Sequence, residues 1–171
     1  MAALQWSEAL ALDLPLMDDT HREFVDLLAA VEAADDATLV ARWQALVEHT
    51  EQHFGQEDAW MASTGFASGN CHALQHKVVL QVMRDGAARA ADKGELHVVR
   101  AMAAELALWF PQHAQSMDAA LALHLRRVGF DATTGVVHAP DALPDGLLHG
   151  CGGASCSDEG TAPAAVAAAV A

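Results

Sequence analysis

HTEQHFGQE, residues 49–57, decides the fold and poses a problem within it. His49, His53 and Glu57 follow one another at intervals of four, a spacing that on an α-helix brings side chains to neighbouring positions on one face. The run covers about 12 Å of axis at about 1.5 Å per residue, too far for all three to serve one compact site. A helical wheel at about 100° per residue separates them. Leu39, Trp43, Leu46, Val47, Phe54, Trp60 and Met61 define a buried arc. Glu57 falls near its centre and His53 within it, whereas His49 lies about 85° away, where the face of Glu48, Gln52 and Gln56 begins.

An ionised Glu in the middle of a core is expensive unless it is paired, hydrogen-bonded or bound to a cation. Partners are available on every neighbouring segment. In HALQH, residues 72–76, His72 and His76 share the arc of Val79, Leu80 and Met83. His21 sits on the face of Phe24, Val25 and Leu28, and His113 on the stripe of Met102, Leu106 and Trp109. Any one of these is readily explained as a core imidazole bonded to a carbonyl. Five inward histidines around a buried Glu point instead to a shared metal site.

The segments that carry these residues read as four helices: about Asp19 to Ala33, from just after Asp35-Asp36 to about Ser63, a third ending near Ala91, and Leu96 to Val128. Asp18, Asp19 and Thr20 are available to cap the first, Thr64-Gly65 stops the second, and Lys93-Gly94 separates the last two. Short connections between amphipathic helices imply an all-α, antiparallel up-down-up-down bundle preceded by an N-terminal arm. Asp118 needs one more device. It stands five residues after His113, about 140° away on a regular helix. The apolar stripe itself turns by about 70° between Trp109 and Ala114, Leu121, Leu125. A π-type bulge or kink between Pro111 and Met117 would absorb both displacements and bring Asp118 onto the site.

The domain division expected is therefore a bundle over 1–130 and, over 131–171, a flexible, loosely ordered tail rich in Gly, Ala and Pro. The tail holds His149, Cys151 and Cys156, whose spacing makes only a weak metal or redox segment. Cys71, beside His72, reads as packing, and His97, His124 and His138 as surface or boundary residues. The 171 residues suffice for one core. A net charge of −14 with nine scattered Lys and Arg excludes a phosphate-binding surface, so neither nucleic acid nor anionic membrane is an expected partner. No apolar run is long enough to insert in a bilayer. The N-terminus lacks the basic start of a secretory signal and three cysteines make no disulfide framework, which favours the cytoplasm.

Taken together, Trp6, MDDTH at 17–21, HFGQEDAWM at 53–61, HALQH at 72–76 and WFPQHAQSMD at 109–118 resemble the hemerythrin family, in its single-domain bacterial form. The resemblance covers about residues 4–128. It implies a pair of non-heme iron ions joined by an oxo or hydroxo group, with His72, His76 and His113 on one iron, His21 and His53 on the other, and Glu57 and Asp118 bridging both. One iron is then a ligand short, and dioxygen is the partner implied for that position. By this resemblance the protein is an oxygen-binding metalloprotein, a carrier, store or delivery protein, rather than an enzyme. Phe24, Leu28, Phe54, Leu106 and Trp109 would keep water out. His49 departs from the Tyr often found there, and is expected to tune the entrance or to hydrogen-bond behind a ligand.

The alternatives are a sensor or scavenger of oxygen, redox state or iron, and a di-iron oxidase. The oxidase class places Glu-x-x-His on two helices, and that motif occurs nowhere in the chain, nor does any Tyr. A zinc hydrolase is weaker still, because in His49-Thr50-Glu51-Gln52-His53 the acid does not directly follow the first His. No feature of the sequence names a protein partner.

Overall fold

In the computed structural model, residues 4–66 and 71–146 are described. Helix α1 runs Pro15–Glu32, α2 Leu39–Ser63, α3 Cys71–Lys93 and α4 Leu96–His113; a π-helical turn over Ala114–Asp118 leads into α5, Ala119–Arg127. α4, the π turn and α5 form one long rod, so the architecture is the expected four-helix bundle. α1 packs on α2 and α4, and α3 on α2 and α4, closing the ring.

Local chemistry accounts for the boundaries. Pro15 takes the first position of α1, where a missing N–H is harmless. Asp18 therefore lies inside the helix rather than before it, and its carboxylate reaches back to accept from the backbone N–H of Leu12 at 2.7 Å and of Leu14 at 3.3 Å. Gly65 (φ 70°) and Gly94 (φ 67°) end α2 and α3 in the left-handed conformation that a side chain disfavours. The π turn falls where the rotating apolar stripe required it. The Ser116 hydroxyl donates to the Gln112 carbonyl at 2.6 Å, one turn back along the chain. The Gln115 amide meanwhile donates to the Ala9 carbonyl, tying the N-terminal arm to the turn. Arg22 sits over the Trp6 ring of the same arm, 4.6 Å from its centroid.

The apolar core comes in two parts. One cluster is built on Phe24, Leu28, Trp43, Leu46, Met83, Met102, Leu106 and Phe110. The other gathers Leu14, Met17, Trp60, Met61, Phe66, Ala73, Leu121, Leu125, Val128 and Phe130. Trp43 is fully buried in the first, and its indole N–H donates to the Met83 carbonyl at 3.0 Å.

Three expectations change. The loosely ordered tail does not begin at 131: Phe130–Asp131 pairs antiparallel with Val136–Val137, a 3-10 turn follows at Pro140–Ala142, and Val137, Ala142 and Leu143 pack on the second cluster. His124 is not a surface or boundary residue but buried, donating from Nε2 to the Thr64 carbonyl at 2.9 Å beside Phe66. The π turn sets the phase of α5 so that His124 meets the exposed carbonyl end of α2. Cys71 is disulfide-bonded rather than a packing thiol. Its partner, like the expected segment of His149, Cys151 and Cys156, lies outside the described residues. Among the described residues, no helix is long and apolar enough to cross a membrane.

Candidate metal centre

Every helix of the bundle contributes to one buried polar layer. α1 supplies His21, α2 supplies His53 and Glu57, α3 supplies His72 and His76, α4 ends on His113 and the π turn ends on Asp118. All seven are buried, Glu57 at 1% exposure and Asp118 at 0%. Donor atoms of Glu57, His72, His76, His113 and Asp118 lie within 4.8 Å of one another, and so do those of His21, His53 and Glu57.

The two carboxylates divide the imidazoles between them. Glu57 turns Oε2 to His72 Nε2 at 3.4 Å and His76 Nε2 at 3.3 Å, and Oε1 to His53 Nε2 at 3.1 Å and His21 Nε2 at 3.8 Å. Asp118 turns Oδ1 to His72 at 2.9 Å and His113 at 3.1 Å, and Oδ2 to His21 at 3.3 Å. Each carboxylate thus offers one oxygen to a group of three histidines and the other to a group of two.

Apart from the hydrogen bond of His53 Nε2 to Glu57 Oε1, these contacts are close without being hydrogen bonds. His21 Nε2, His72 Nε2, Glu57 Oε2 and both Asp118 oxygens are buried with no hydrogen-bond partner, a costly state for polar atoms. His76 Nε2 and His113 Nε2 converge to 3.3 Å. Metal–nitrogen bonds of about 2.1 Å at right angles put neighbouring donors about 3 Å apart. The spacing and the unpartnered atoms therefore fit two ions, one within each group, and the imidazole-rich donor set suits first-row transition metals.

Protons occupy this layer in the absence of metal. Burial disfavours charge on His21 and His72, but the facing Asp118 and Glu57 outweigh it and raise them to about 9 and about 10. Burial likewise opposes charge on both carboxylates, yet the imidazoles around them hold Glu57 and Asp118 well below their ordinary values. His113 is lowered, chiefly by its burial.

Behind the layer stand groups that the sequence reading did not single out. Asp58 Oδ1 accepts from His76 Nδ1 at 3.0 Å. Gln75 Oε1 accepts from His113 Nδ1 at 3.2 Å and from the Trp109 indole at 3.3 Å. Such acceptors fix a ligand's tautomer and ring orientation. Both lie beside a singled-out residue in sequence, and that adjacency was the one available signal. Phe110, also not anticipated, sets its edge against His21 at 5.2 Å and stacks on Phe24. Phe54 stacks on His76 at 4.0 Å, and Trp109 on His113 at 4.4 Å. His49 stays out of the layer, its Nε2 donating to the Thr20 carbonyl at 3.1 Å.

A family model described as the hemerythrin HHE cation binding domain matches residues 12–125. A bacteriohemerythrin of Ralstonia nicotianae (strain ATCC BAA-1114 / GMI1000) is 40% identical over 132 residues, 77% of this chain and 96% of that protein. A myohemerythrin of Sipunculus nudus is 25% identical over 113 residues, 66% of this chain and 86% of its own. No solved structure gives a match.

Proposed function

Because the chain belongs to the hemerythrin family, we propose that it binds dioxygen reversibly at a non-heme di-iron centre in the polar layer of its bundle. The observation that carries this reading is the pair of buried carboxylates, each with one oxygen toward the three-histidine group and one toward the two-histidine group.

His72, His76 and His113 would hold one iron, His21 and His53 the other, and Glu57 and Asp118 would bridge them. With metal in place of the protons the donors would be five neutral imidazoles and only two carboxylates, a set that leaves the second position one protein ligand short of the first. When bound, the iron pair supplies electrons and an open position for dioxygen. The remaining work falls to the chain. Asp58 and Gln75 hold two imidazoles in the tautomer that leaves Nε2 free for metal. Phe24, Phe54, Leu106 and Phe110, all buried, keep bulk water from the layer, which favours release of the ligand over its conversion.

The test is the visible spectrum of the reduced, iron-loaded protein. An absorption band that develops in air and is lost on evacuation, with no net oxygen consumed, is the expected result. Continuous consumption without reversal would replace this reading with the di-iron oxidase.

A further inference from the structure

Between α1 and α2, on the outer side of the layer, lies a polar cavity of about 230 Å³ lined by Thr20, Glu23, His49, Gln52, His53 and Gln56. Six waters at about 30 Å³ each would fill about 180 Å³, so a hydrated divalent ion fits. Of the seven buried residues of the layer, His53 alone lines this cavity. Its Nε2 is turned to Glu57 at 3.1 Å, while its Nδ1 is buried with no partner.

The imidazoles are not held alike. His76 and His113 are pinned through Nδ1 by Asp58 and Gln75. His72 has no such acceptor, but the rings of His76 and His113 wall it in at 4.4 and 4.9 Å. His53 has no acceptor at Nδ1, and although the rings of His21, Phe54 and His49 flank it at 5.0, 5.4 and 6.1 Å, it is the layer's imidazole that borders the cavity.

We propose that this cavity is the port through which a divalent metal ion reaches and leaves the two-histidine position, with Glu23 and His49 as transit ligands and His53 as the receiving group. The proposal rests on the metal-centre reading above. His49 donates from Nε2 to Thr20, which leaves the Nδ1 lone pair free, and Glu23 Oε2 stands 3.7 Å from that nitrogen. A nitrogen and an oxygen set wider than the roughly 3 Å of a closed site bind weakly, as transit requires. Gln52 and Gln56 add amide oxygens that replace hydration waters in turn. A carboxylate at the mouth of a chain carrying a net −14 draws cations rather than anions.

The test follows Co²⁺ uptake by the metal-free full chain in a stopped-flow spectrometer, with final metal content by elemental analysis. Two phases of one metal each are expected. Glu23→Gln and His49→Gln should slow the second phase about fivefold, leaving the first phase and the final content of two unchanged. Removal of the second metal by a chelator should slow by the same factor, because a port changes both rates and leaves affinity alone. Asp26→Asn, an exposed carboxylate of α1 that does not line the cavity, should change nothing. Unaltered phases, equal slowing of both, a single phase carrying both metals, or equal slowing by Asp26→Asn overturns the port while the metal centre stands. A wild-type chain that takes up fewer than two metals fails the metal-centre reading, and the port with it.

Discussion

Deleting Ser116 should leave the site intact, whereas inserting one Ala after it should destroy it. Across the π turn, His113 and Asp118 share a face although five residues apart. Five steps of about 100° would otherwise leave them about 140° apart. Removing one exposed residue reduces the separation to four steps, about 400°, so a regular α-helix then puts the two side chains within about 40° of each other. α5 keeps its phase, and the side-chain bonds lost are those of the Ser116 hydroxyl to the Gln112 and His113 carbonyls. Stability should change by about 1 kcal/mol or less, a shift in Tm of about 4 °C or less for a domain of this size. The insertion rotates α5 by about 100° instead and turns Leu121 and Leu125, both fully buried, out of the second cluster. At about 1.5–3 kcal/mol each, that loss is about 3–6 kcal/mol, much of the 5–15 kcal/mol that typically holds a domain together. Thermal melts and iron content per chain measure both effects. A deletion variant that binds fewer than two irons, or an insertion variant that melts and binds as wild type, refutes the view that the π turn is one extra residue in an otherwise continuous helix.

Asp58→Ala frees the His76 ring and should weaken iron retention about 10- to 100-fold in competition with a chelator; unchanged retention would leave the 3.0 Å contact without consequence. The metal-free chain should be most stable in mildly acidic solution. His21 and His72, raised from 6.5 to about 9 and about 10, stabilise it fully below pH 6.5, and this is lost as pH rises through those values. Glu57 and Asp118, held below their ordinary 4.5 and 3.8, stabilise it above that range and cease to do so in acid. Denaturant titrations should therefore show a fall from pH 6 to pH 10 without metal and little change with metal, which replaces the protons. Phe54→Ala removes the ring stacked on His76, at a cost of about 3–5 kcal/mol, and by admitting water should speed oxidation of the iron-loaded protein in air, read as loss of its reversible band. His49→Ala should retain two irons at equilibrium, whereas His53→Ala should retain one.

The parts of the site legible in the sequence were those where burial conflicts with polarity. Glu57 in the middle of an apolar arc, and histidines on four such arcs, declare themselves because a wheel needs only one helix at a time. The π turn was legible for a related reason: a stripe that must face one core cannot rotate by 70° unless the helix does. Contacts between helices leave no such mark. Asp58 and Gln75 sit at the edges of their arcs, and nothing along either helix shows that each meets an imidazole of another helix. His124 was misread because its phase depends on the π turn, and its partner is a backbone carbonyl at the far end of α2. The hairpin of Phe130–Asp131 with Val136–Val137 has strands of two residues, too short for any alternation to register. Asp18 was assigned a place ahead of α1 because a cap from inside the helix looks, in sequence, like a cap from outside it.

The polar layer lies between two apolar clusters that it keeps apart, and this joins the fold to the function. Phe24, Phe54 and Phe110 belong to one cluster, Met17, Met61 and Leu121 to the other, and His21, Glu57 and Asp118 stand between them on α1, α2 and the π turn. Without metal, the layer holds buried nitrogens and oxygens lacking hydrogen-bond partners, so the bundle carries its largest desolvation cost at mid-height. Metal that binds the folded layer and not the unfolded chain contributes its binding free energy to folding. The two positions should contribute unequally. The three-histidine group has two of its imidazoles already oriented by Asp58 and Gln75, so less ordering remains for the metal to impose, and its metal should bind first and stabilise more. A chain loaded with one equivalent should then recover most of the gain in Tm. Equal increments from the first and second equivalents would show that the acceptors behind His76 and His113 make no difference to the order of loading.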